Sequence, residues 1–408
     1  MGMDRQDLAE PRVGRRRVRA KLSLHAGEAR TPSGGSRGWV VTTVAVALLG
    51  LAACGGSPGA SPSDVSPAVA ASAAGTTASP APAAAPQTLT ETGSSLMAPL
   101  FTRWAPAYHS RFPQVTLRTV TSSSGQGISS AAAGTADIGA SDAYLSPATL
   151  AKYAGLVNIP LAVAALMVVY NVPGISPSTH LRLNGQVLAQ MFTGKISRWD
   201  DPAITALNPG VRLPGAAIVP VHRTDSSGST FLFTSYLNAQ APSGWNSSLI
   251  GTTVAWPRPP GAIGATGSDA VITSVQSASG AIGYVGVSYL SPVRHANEGE
   301  AALGNSSGNF VLPTSDAIQA ALASFTNTPA NETISLINGS AAQAYPIINY
   351  EYAVVNTSQS SATRAQDLRA FLHWAVTSGT AQLASVNFEP LPSSVVTLSD
   401  AQIAKIKG

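Results

Sequence analysis

The sequence predicts an α/β protein, and three observations support this prediction. Short apolar runs alternate with segments of helical periodicity from about residue 89 onward. The chain has 408 residues and is 44% hydrophobic, which is enough for two domains with their own cores. No fixed-period repeat is visible. The predicted strands are V-T-L-R-T-V (Val115 to Val120), A-L-M-V-V-Y (Ala165 to Tyr170), A-I-V-P-V-H (Ala217 to His222), A-I-G-Y-V (Ala281 to Val285) and Y-E-Y-A-V-V (Tyr350 to Val355).

Charged residues make up only 11% of the chain, and their signs are unevenly distributed. The first 54 residues hold 9 Lys and Arg against 4 Asp and Glu, whereas the rest of the chain holds 15 against 16. The net charge of +4 therefore belongs to the N-terminal segment. Because the remainder offers no basic patch, we expect no nucleic-acid partner.

The N-terminal segment has the features of an exported lipoprotein. Arg37 precedes an apolar stretch, Trp39 to Ala53, which suits a signal peptide and is too short for a comfortable membrane span. The stretch ends in L-A-A-C, which resembles the bacterial lipobox, whose cysteine is lipidated. That residue, Cys54, is the only cysteine, so a disulfide within the chain is excluded. The alternative is an accidental free cysteine. We predict a signal peptide over residues 1–53 and an extracytoplasmic protein anchored to the cell membrane through a lipid on Cys54.

Residues 54–87 consist mainly of Gly, Ser, Pro, Ala and Thr. Such a segment has no apolar face to bury, so we expect it to form a flexible tether between the anchor and the folded part.

Small hydroxyl residues cluster at the starts of three predicted helices. The segment H-R-T-D-S-S-G-S-T-F-L-F-T-S-Y-L (His222 to Leu237) reads as the end of a strand, a turn and a helix. S-S-S-G-Q-G (Ser122 to Gly127) and T-G-S-S-L (Thr92 to Leu96) also precede helical patterns, and Pro106 is expected to kink or end the helix after Leu96. In the simplest interpretation these residues are helix caps. A helix start with free N–H groups and small hydroxyls is also a ready anion site, and three of them predict a small buried anion.

Two charged positions refine this prediction. We expect Arg223 to offer a fork of donors held in place by Asp225, and the alternative is a surface pair worth under about 1 kcal/mol. D-I-G-A-S-D-A (Asp137 to Ala143) predicts a short strand that ends at Asp142. A carboxylate suits an anion that carries a proton, as inorganic phosphate does at neutral pH and sulfate does not. Taken alone, Asp142 is better explained as a cap of the next helix.

Several longer segments carry a family resemblance at consistent spacing. They are G-S-S-L-M-A-P-L (Gly93 to Leu100), S-S-G-Q-G-I (Ser123 to Ile128), A-G-T-A-D-I-G-A-S-D-A-Y-L-S (Ala133 to Ser146), G-K-I-S-R-W-D-D-P-A-I-T-A-L-N-P-G (Gly194 to Gly210), the segment His222 to Leu237, G-A-I-G-Y-V (Gly280 to Val285) and Y-P-I-I-N-Y-E-Y (Tyr345 to Tyr352). Together they resemble the periplasmic phosphate-binding lipoprotein of the bacterial high-affinity phosphate ABC transporter, over residues 88–400. The chain departs from the family pattern at Ser95 and Ser229, where threonine is common, and at Leu96, where phenylalanine is common.

The resemblance implies a type II periplasmic-binding-protein fold, with a cleft between two α/β domains joined by hinge crossovers. Domain I would comprise residues 88–168 and 345–408, and domain II residues 169–344. It also implies extracytoplasmic binding of inorganic phosphate and delivery to the permease and ATPase complex of an ABC transporter, by a monomer. An enzymatic activity, a cofactor and a metal are not expected.

Carried over residue by residue, the resemblance implies phosphate contacts from hydroxyls, backbone N–H groups, one arginine and one carboxylate. The implied phosphate-binding residues are Ser95, Leu96 (through its backbone), Ser124, Asp142, Arg223, Ser227, Gly228 and Ser229, with Asp225 supporting Arg223.

Three alternative functions remain at this point. A binding protein of the same fold for sulfate, molybdate or tungstate is disfavoured by Asp142. A serine hydrolase with Ser227 or Ser229 as nucleophile and His222 as base lacks the G-x-S-x-G elbow and a third triad member. A sensing or surface role is compatible with the same sequence. The remaining histidines show no metal-ligand spacing; those considered are His109, His180, His295 and His373.

Overall fold

The structure is a computed structural model that describes residues 80–408. The predicted signal peptide, Cys54 and the tether up to residue 79 lie outside the described residues. At the end of the predicted tether, the backbone N–H of Ala83 donates to Asp367 Oδ1 at 2.7 Å. Nearby, the side chain of Gln366 donates to the carbonyl of Ala81 at 3.0 Å. The chain is therefore held against the folded body from about residue 81.

Strands and helices alternate along the described residues, so the predicted α/β class is confirmed. The strands are β1 (Gln87–Gly93), β2 (Val115–Thr121), β3 (Ile138–Ser141), β4 (Leu156–Asn171), β5 (Arg182–Leu183), β6 (Val219–Arg223), β7 (Ile263–Ala265), β8 (Ala281–Gly286), β9 (Gly299–Glu300), β10 (Ala302–Gly304), β11 (Phe310–Val311) and β12 (Ile348–Asn356).

The helices surround these strands. The α-helices are α1 (Ala98–Arg111), α2 (Ser124–Ala132), α3 (Pro147–Lys152), α4 (Gly185–Thr193), α5 (Pro202–Thr205), α6 (Gly228–Gln240), α7 (Gly267–Ser277), α8 (Leu290–His295), α9 (Ser315–Leu322), α10 (Ala362–Val376) and α11 (Ser393–Ile403). Short 3₁₀ helices occupy Pro177–Thr179, Ser247–Leu249, Val287–Tyr289 and Ser378–Val386. None of the helices within residues 80–408 has both the length and the apolar character needed to span a membrane.

The main sheet has the strand order β2-β1-β3-β12-β4-β8-β6-β7, with β9 pairing β4 off this path. Strands β4 and β12 pair antiparallel at its centre. On one side, β1 pairs parallel with β2 and β3. On the other side, β6 pairs parallel with β7 and β8. Strand β4 has 16 residues, nearly all of them buried, because it is covered on both faces.

Helix α1 does not end at Pro106, although the sequence predicts a kink or an end there. The helix continues to Arg111. Trp104 and Tyr108, on either side of the proline, both pack edge-on against Phe371 and Trp374 of α10. This aromatic packing on both sides of Pro106 stabilises the helical backbone across the missing hydrogen bond.

Candidate anion-binding site

The predicted site residues lie where three strands end and three helices begin. Strand β1 ends at Gly93, just before Ser94 and α1. Strand β2 is followed by Ser123, whose side chain accepts from the Gln126 N–H and caps α2. Strand β6 ends at Arg223, and the hydroxyl of Ser227 accepts from the Thr230 N–H at 3.4 Å and caps α6. The capping interpretation is therefore correct for Ser123 at α2 and Ser227 at α6. The other hydroxyls at these helix starts contact other groups.

Asp142 lies at the centre of these partners, directly after β3, and is 1% exposed. The hydroxyl of Ser94 donates to its Oδ1, and the hydroxyl of Ser229 donates to its Oδ2 at 2.9 Å. Burial raises the pKa of Asp142, whereas the two hydroxyl donors, the charge of Arg223 and a contact from Glu351 act in the opposite direction. Asp142 is thus an acceptor that neighbouring donors must keep ionised against the cost of burial.

Ser124 joins the start of α2 to the start of α6. Its hydroxyl accepts from the backbone N–H of Gly228 at 3.0 Å and from that of Asp142 at 3.3 Å. Gly228 has no room for a side chain, because a Cβ there would lie 2.7 Å from both Asp142 Cβ and Ser124 Oγ. The close approach of the two helix starts therefore requires glycine at position 228.

Arg223 supplies the cation of this cluster and is 3% exposed. Its Nε donates to Asp225 Oδ1 at 2.7 Å and its Nη2 pairs with Oδ2, which forms a two-point fork. Its remaining nitrogen, Nη1, donates to Ser95 Oγ at 3.2 Å. Burial opposes the charge on Arg223, but the hydrogen bond and charge of Asp225 outweigh it and raise the pKa of Arg223. Burial likewise opposes the charge of Asp225, and pairing with Arg223 lowers its pKa on balance.

Leu96 takes part through its backbone. Its N–H donates to Ser94 Oγ at 3.0 Å, so it belongs to the same hydrogen-bonded group as Asp142. The Leu96 side chain is fully buried against Gly286 at the end of β8. The structure thus brings together, as neighbours, the residues that the resemblance implied for the phosphate site: Ser95, Leu96, Ser124, Asp142, Arg223, Asp225, Ser227, Gly228 and Ser229.

The start of α7 is a fourth helix start that reaches this cluster, and it was not predicted from the sequence. Ser268, in the first turn of α7, lies with its hydroxyl 2.8 Å from Ser95 Oγ. The Gly267 N–H adds a donor to Asp225 Oδ1 at 3.4 Å. The signal was present in T-G-S-D (Thr266 to Asp269), which has the same small hydroxyl residues before a helical pattern.

Strand β12 contributes two more residues, Asn349 and Glu351, which the sequence did not predict as site residues. The Asn349 side chain donates to the backbone carbonyl of Asp142. Glu351 is fully buried, and its carboxyl is close enough to Asp142 to shift its pKa. Nothing in the local sequence around these residues marks them, because their neighbours come from strand pairing.

His222 lies apart from the serines. Its Nδ1 donates to the carbonyl of Ile263 at 2.9 Å, and burial lowers its pKa. A base for a serine nucleophile is therefore not placed at this histidine. Within residues 80–408, no group of three or more His, Cys, Asp or Glu side chains could hold a metal ion.

Comparisons with known proteins agree with this geometry. A family model described as a PBP superfamily domain matches residues 74–378. The phosphate-binding protein PstS of Xylella fastidiosa is 32% identical over 312 residues, which span 76% of this chain and 83% of that protein. This chain belongs to the phosphate-binding protein family. The PstS protein of Haemophilus influenzae is 30% identical over 323 residues, or 79% of this chain and 94% of that protein.

Solved structures show the same fold. The phosphate-binding protein from Stenotrophomonas maltophilia aligns with a TM-score of 0.61 and 21% identity, over 77% of this chain and 93% of that chain. A high-affinity periplasmic phosphate-binding protein (PfluDING), solved with bound phosphate, aligns with a TM-score of 0.62 and 22% identity over the same shares. The periplasmic-binding-protein fold that the resemblance implied is therefore confirmed.

Proposed function

We propose that this protein binds inorganic phosphate outside the cytoplasm and delivers it to an ABC transporter for import. The observation that carries the proposal is the buried carboxylate of Asp142, which accepts from the hydroxyls of Ser94 before α1 and Ser229 in α6. The backbone N–H of Asp142 donates to Ser124 at the start of α2. A single cation, Arg223, completes the set and is itself paired with Asp225. Membership of the phosphate-binding protein family supports the same ligand.

The donors of this site are the proposed phosphate ligands. Ser95, Ser124, Ser227 and Ser229 offer hydroxyls, Leu96 and Gly228 offer backbone N–H groups, and Arg223 offers Nη1. Phosphate would exchange hydrogen bonds within the site for bonds to its own oxygens. Hydrogen bonds to a charged oxygen are worth about 1.5–3 kcal/mol each, compared with about 0.5–1.5 kcal/mol between neutral groups. The exchange therefore favours binding where the bond given up joins neutral groups, as between Gly228 and Ser124.

Selection for phosphate rests on its proton. A buried carboxylate of Asp142 accepts a hydrogen bond from a phosphate hydroxyl, and it repels an oxyanion that carries no proton. The cation adds little net attraction, because Arg223 is already neutralised by Asp225. The donors thus bind tetrahedral oxyanions in general, whereas Asp142 distinguishes among them.

We further propose that residues 88–168 and 345–408 form domain I and residues 169–344 form domain II. Under this division the site draws on both domains, with Ser124 and Asp142 from the first and Arg223 and Gly228 from the second. The long strands β4 and β12 would serve as the hinge crossovers, because they pass from one part of the sheet to the other. Opening about these strands would separate Ser124 from Gly228 and admit the ion.

The remaining parts of the proposal concern the anchor and the partners. The lipobox motif supports removal of residues 1–53, a lipid on Cys54 and attachment to the cell membrane. The tether over residues 54–87 would let a monomeric binding protein reach the permease and ATPase complex. No enzymatic step is part of the proposal.

Isothermal titration calorimetry of the purified protein with phosphate, sulfate and molybdate tests the ligand. We expect phosphate to bind both above and below the pH at which it titrates near neutrality, and sulfate to bind at least about 100-fold more weakly. Sulfate or molybdate binding as tightly as phosphate would contradict the proposal. Ester hydrolysis that Ser227→Ala abolishes would instead favour the hydrolase.

A further inference from the structure

Glu351 of β12 is a buried acid whose surroundings do not suit a charge. Its side chain is fully buried, and no donor among residues 80–408 reaches either carboxyl oxygen. An ionised carboxylate in such a place would leave several acceptor positions unsatisfied, which is costly in a protein interior. We therefore expect the Glu351 carboxyl to be protonated and neutral.

The group that Glu351 faces is another acid. Strands β3 and β12 pair antiparallel as far as Tyr352 opposite Ser141, and Glu351 and Asp142 are the next residues on the two segments. Residues that follow such a pair on antiparallel strands are close neighbours. The two carboxyls are close enough for each to shift the pKa of the other. Two carboxylates cannot form a hydrogen bond, because neither has a donor, whereas a carboxylic acid and a carboxylate can.

The proton of this pair belongs on Glu351. Asp142 already accepts from the hydroxyls of Ser94 and Ser229 and lies near the charge of Arg223, all of which favour its ionised form. Glu351 has no such donors. Burial first, and then the charge of Asp142 and the hydrogen bond to it, raise the pKa of Glu351 well above its usual range. Like charges this close do not both ionise.

Among the described residues, Glu351 is the only carboxyl that acts on the pKa of Asp142. Helix α2, which packs on β12, contains no titratable residue, and α9 contributes only Asp316, which is exposed. The neighbouring strand β4 has Tyr170 as its only titratable residue, toward its far end. Tyr352, the next residue on β12, donates its hydroxyl to the carbonyl of Glu332.

We propose that Glu351 is a positioning residue of the anion site, which in its protonated form donates a hydrogen bond to the Asp142 carboxylate. The inference rests on the proposed function, because it concerns how Asp142 selects phosphate. A carboxylate has about four acceptor positions. Ser94 and Ser229 occupy two and Glu351 a third, and a ligand hydroxyl takes the fourth position or the one that Ser229 leaves when its hydroxyl turns to phosphate. The Glu351 donor keeps Asp142 ionised, so that Asp142 accepts a proton-bearing ligand and rejects an unprotonated one.

Two substitutions of similar size separate this role from simple packing. Glu351→Gln retains a donor, and Glu351→Met fills the space without one. The preference for phosphate is the dissociation constant of sulfate divided by that of phosphate, both measured by calorimetry. We expect Glu351→Gln to keep the wild-type value of this ratio. We expect Glu351→Met to lower that ratio about tenfold or more, since it removes one charge-assisted hydrogen bond from Asp142. Glu298→Gln is the control, because Glu298 is also a buried carboxyl but is not among the groups that act on Asp142.

Infrared spectroscopy tests the proton directly and needs no ligand. The difference spectrum of wild type minus Glu351→Gln is expected to contain the C=O stretch of a protonated carboxylic acid at neutral pH. Absence of that band would overturn the inference, even if Glu351→Met fails to fold. Equal phosphate-to-sulfate ratios in Glu351→Gln and Glu351→Met would overturn it too. A wild-type protein with no preference for phosphate would instead overturn the proposed function, so the two failures are distinguishable.

Discussion

Gly228 is the position where one added methyl group tests the geometry of the site most sharply. A Cβ at this residue would lie 2.7 Å from Ser124 Oγ and from Asp142 Cβ, and 2.9 Å from the Ala143 nitrogen, whereas ordinary van der Waals contact begins at 3.4 Å. In Gly228→Ala these neighbours must therefore move apart. Ser124 would then lose the N–H donors of Gly228 and Asp142, which now lie at 3.0 and 3.3 Å.

The magnitude follows from these contacts. Overpacking of this kind costs about 1–3 kcal/mol, and displacement of two proposed ligands costs a similar amount in binding. We expect the phosphate dissociation constant of Gly228→Ala to rise about 10- to 100-fold. Calorimetry measures the affinity, and thermal unfolding confirms that the variant is folded.

Gly244→Ala is the matched control for Gly228→Ala. A Cβ at Gly244 would meet its nearest neighbour, the Ala241 carbonyl oxygen, at 3.6 Å, which is an ordinary contact. We expect this variant to bind phosphate like the wild type. A folded Gly228→Ala protein with unchanged phosphate affinity would refute the reasoning, because it would mean that the starts of α2 and α6 need not meet for binding.

Two further predictions concern buried charges. Asp225→Asn leaves Arg223 buried with a weakened partner, so we expect urea unfolding to show a loss of about 3 kcal/mol and calorimetry to show weaker phosphate binding. The control is Asp200→Asn, in the exposed Arg198–Asp200 pair of the same spacing, which should change stability far less. Equal losses would contradict a bracing role for Asp225. Burial raises the pKa of Glu298 to about 8 from 4.5, so the folded protein keeps this proton where the unfolded chain loses it. The proton's contribution to folding stability is therefore full below about pH 4.5 and is lost as the pH rises through 8. In Glu298→Gln the free energy of unfolding should fall less between about pH 4.5 and 8, by on the order of 2–4 kcal/mol. The same pH dependence of urea unfolding in both proteins would contradict this prediction.

Local sequence signals predicted much of the fold. The strand Val115 to Val120 became β2 with one added residue, and Ala281 to Val285 became β8 with one added residue. The segment Ala217 to His222 was displaced slightly, since β6 runs from Val219 to Arg223. These segments were predictable because short apolar runs bounded by turn residues are a local property of the chain.

The full length of β4 was not predictable in the same way. Only Ala165 to Tyr170 was identified as a strand, whereas β4 extends from Leu156 to Asn171. Its N-terminal half contains Pro160 and lacks the alternation of polar and apolar residues that marks a half-buried strand. A continuous apolar run of this kind fits a buried helix as well as a buried strand, so only the tertiary packing decides between them.

The candidate site shows the same division. Asp142 at a strand end and Arg223 as a donor fork could be identified from local patterns, whereas Ser124 and Gly228 were named as individual contacts through the family resemblance. The structure brings the four together. Glu351 was missed because its partner Asp142 is 209 positions away in the chain. Only the pairing of β3 with β12, which ends one residue before the two acids, brings them near each other.

The central claim is that a buried acceptor at Asp142 selects the ligand by its proton, and Asp142→Asn tests it most directly. Asparagine keeps the size of the side chain and adds an N–H₂ donor, so it no longer repels an unprotonated oxyanion. The measurement is the ratio of the sulfate and phosphate dissociation constants, by calorimetry, in the wild type and in Asp142→Asn. We predict that this ratio falls by about 100-fold or more in the variant, mainly through tighter sulfate binding. The same ratio in both proteins would contradict the claim.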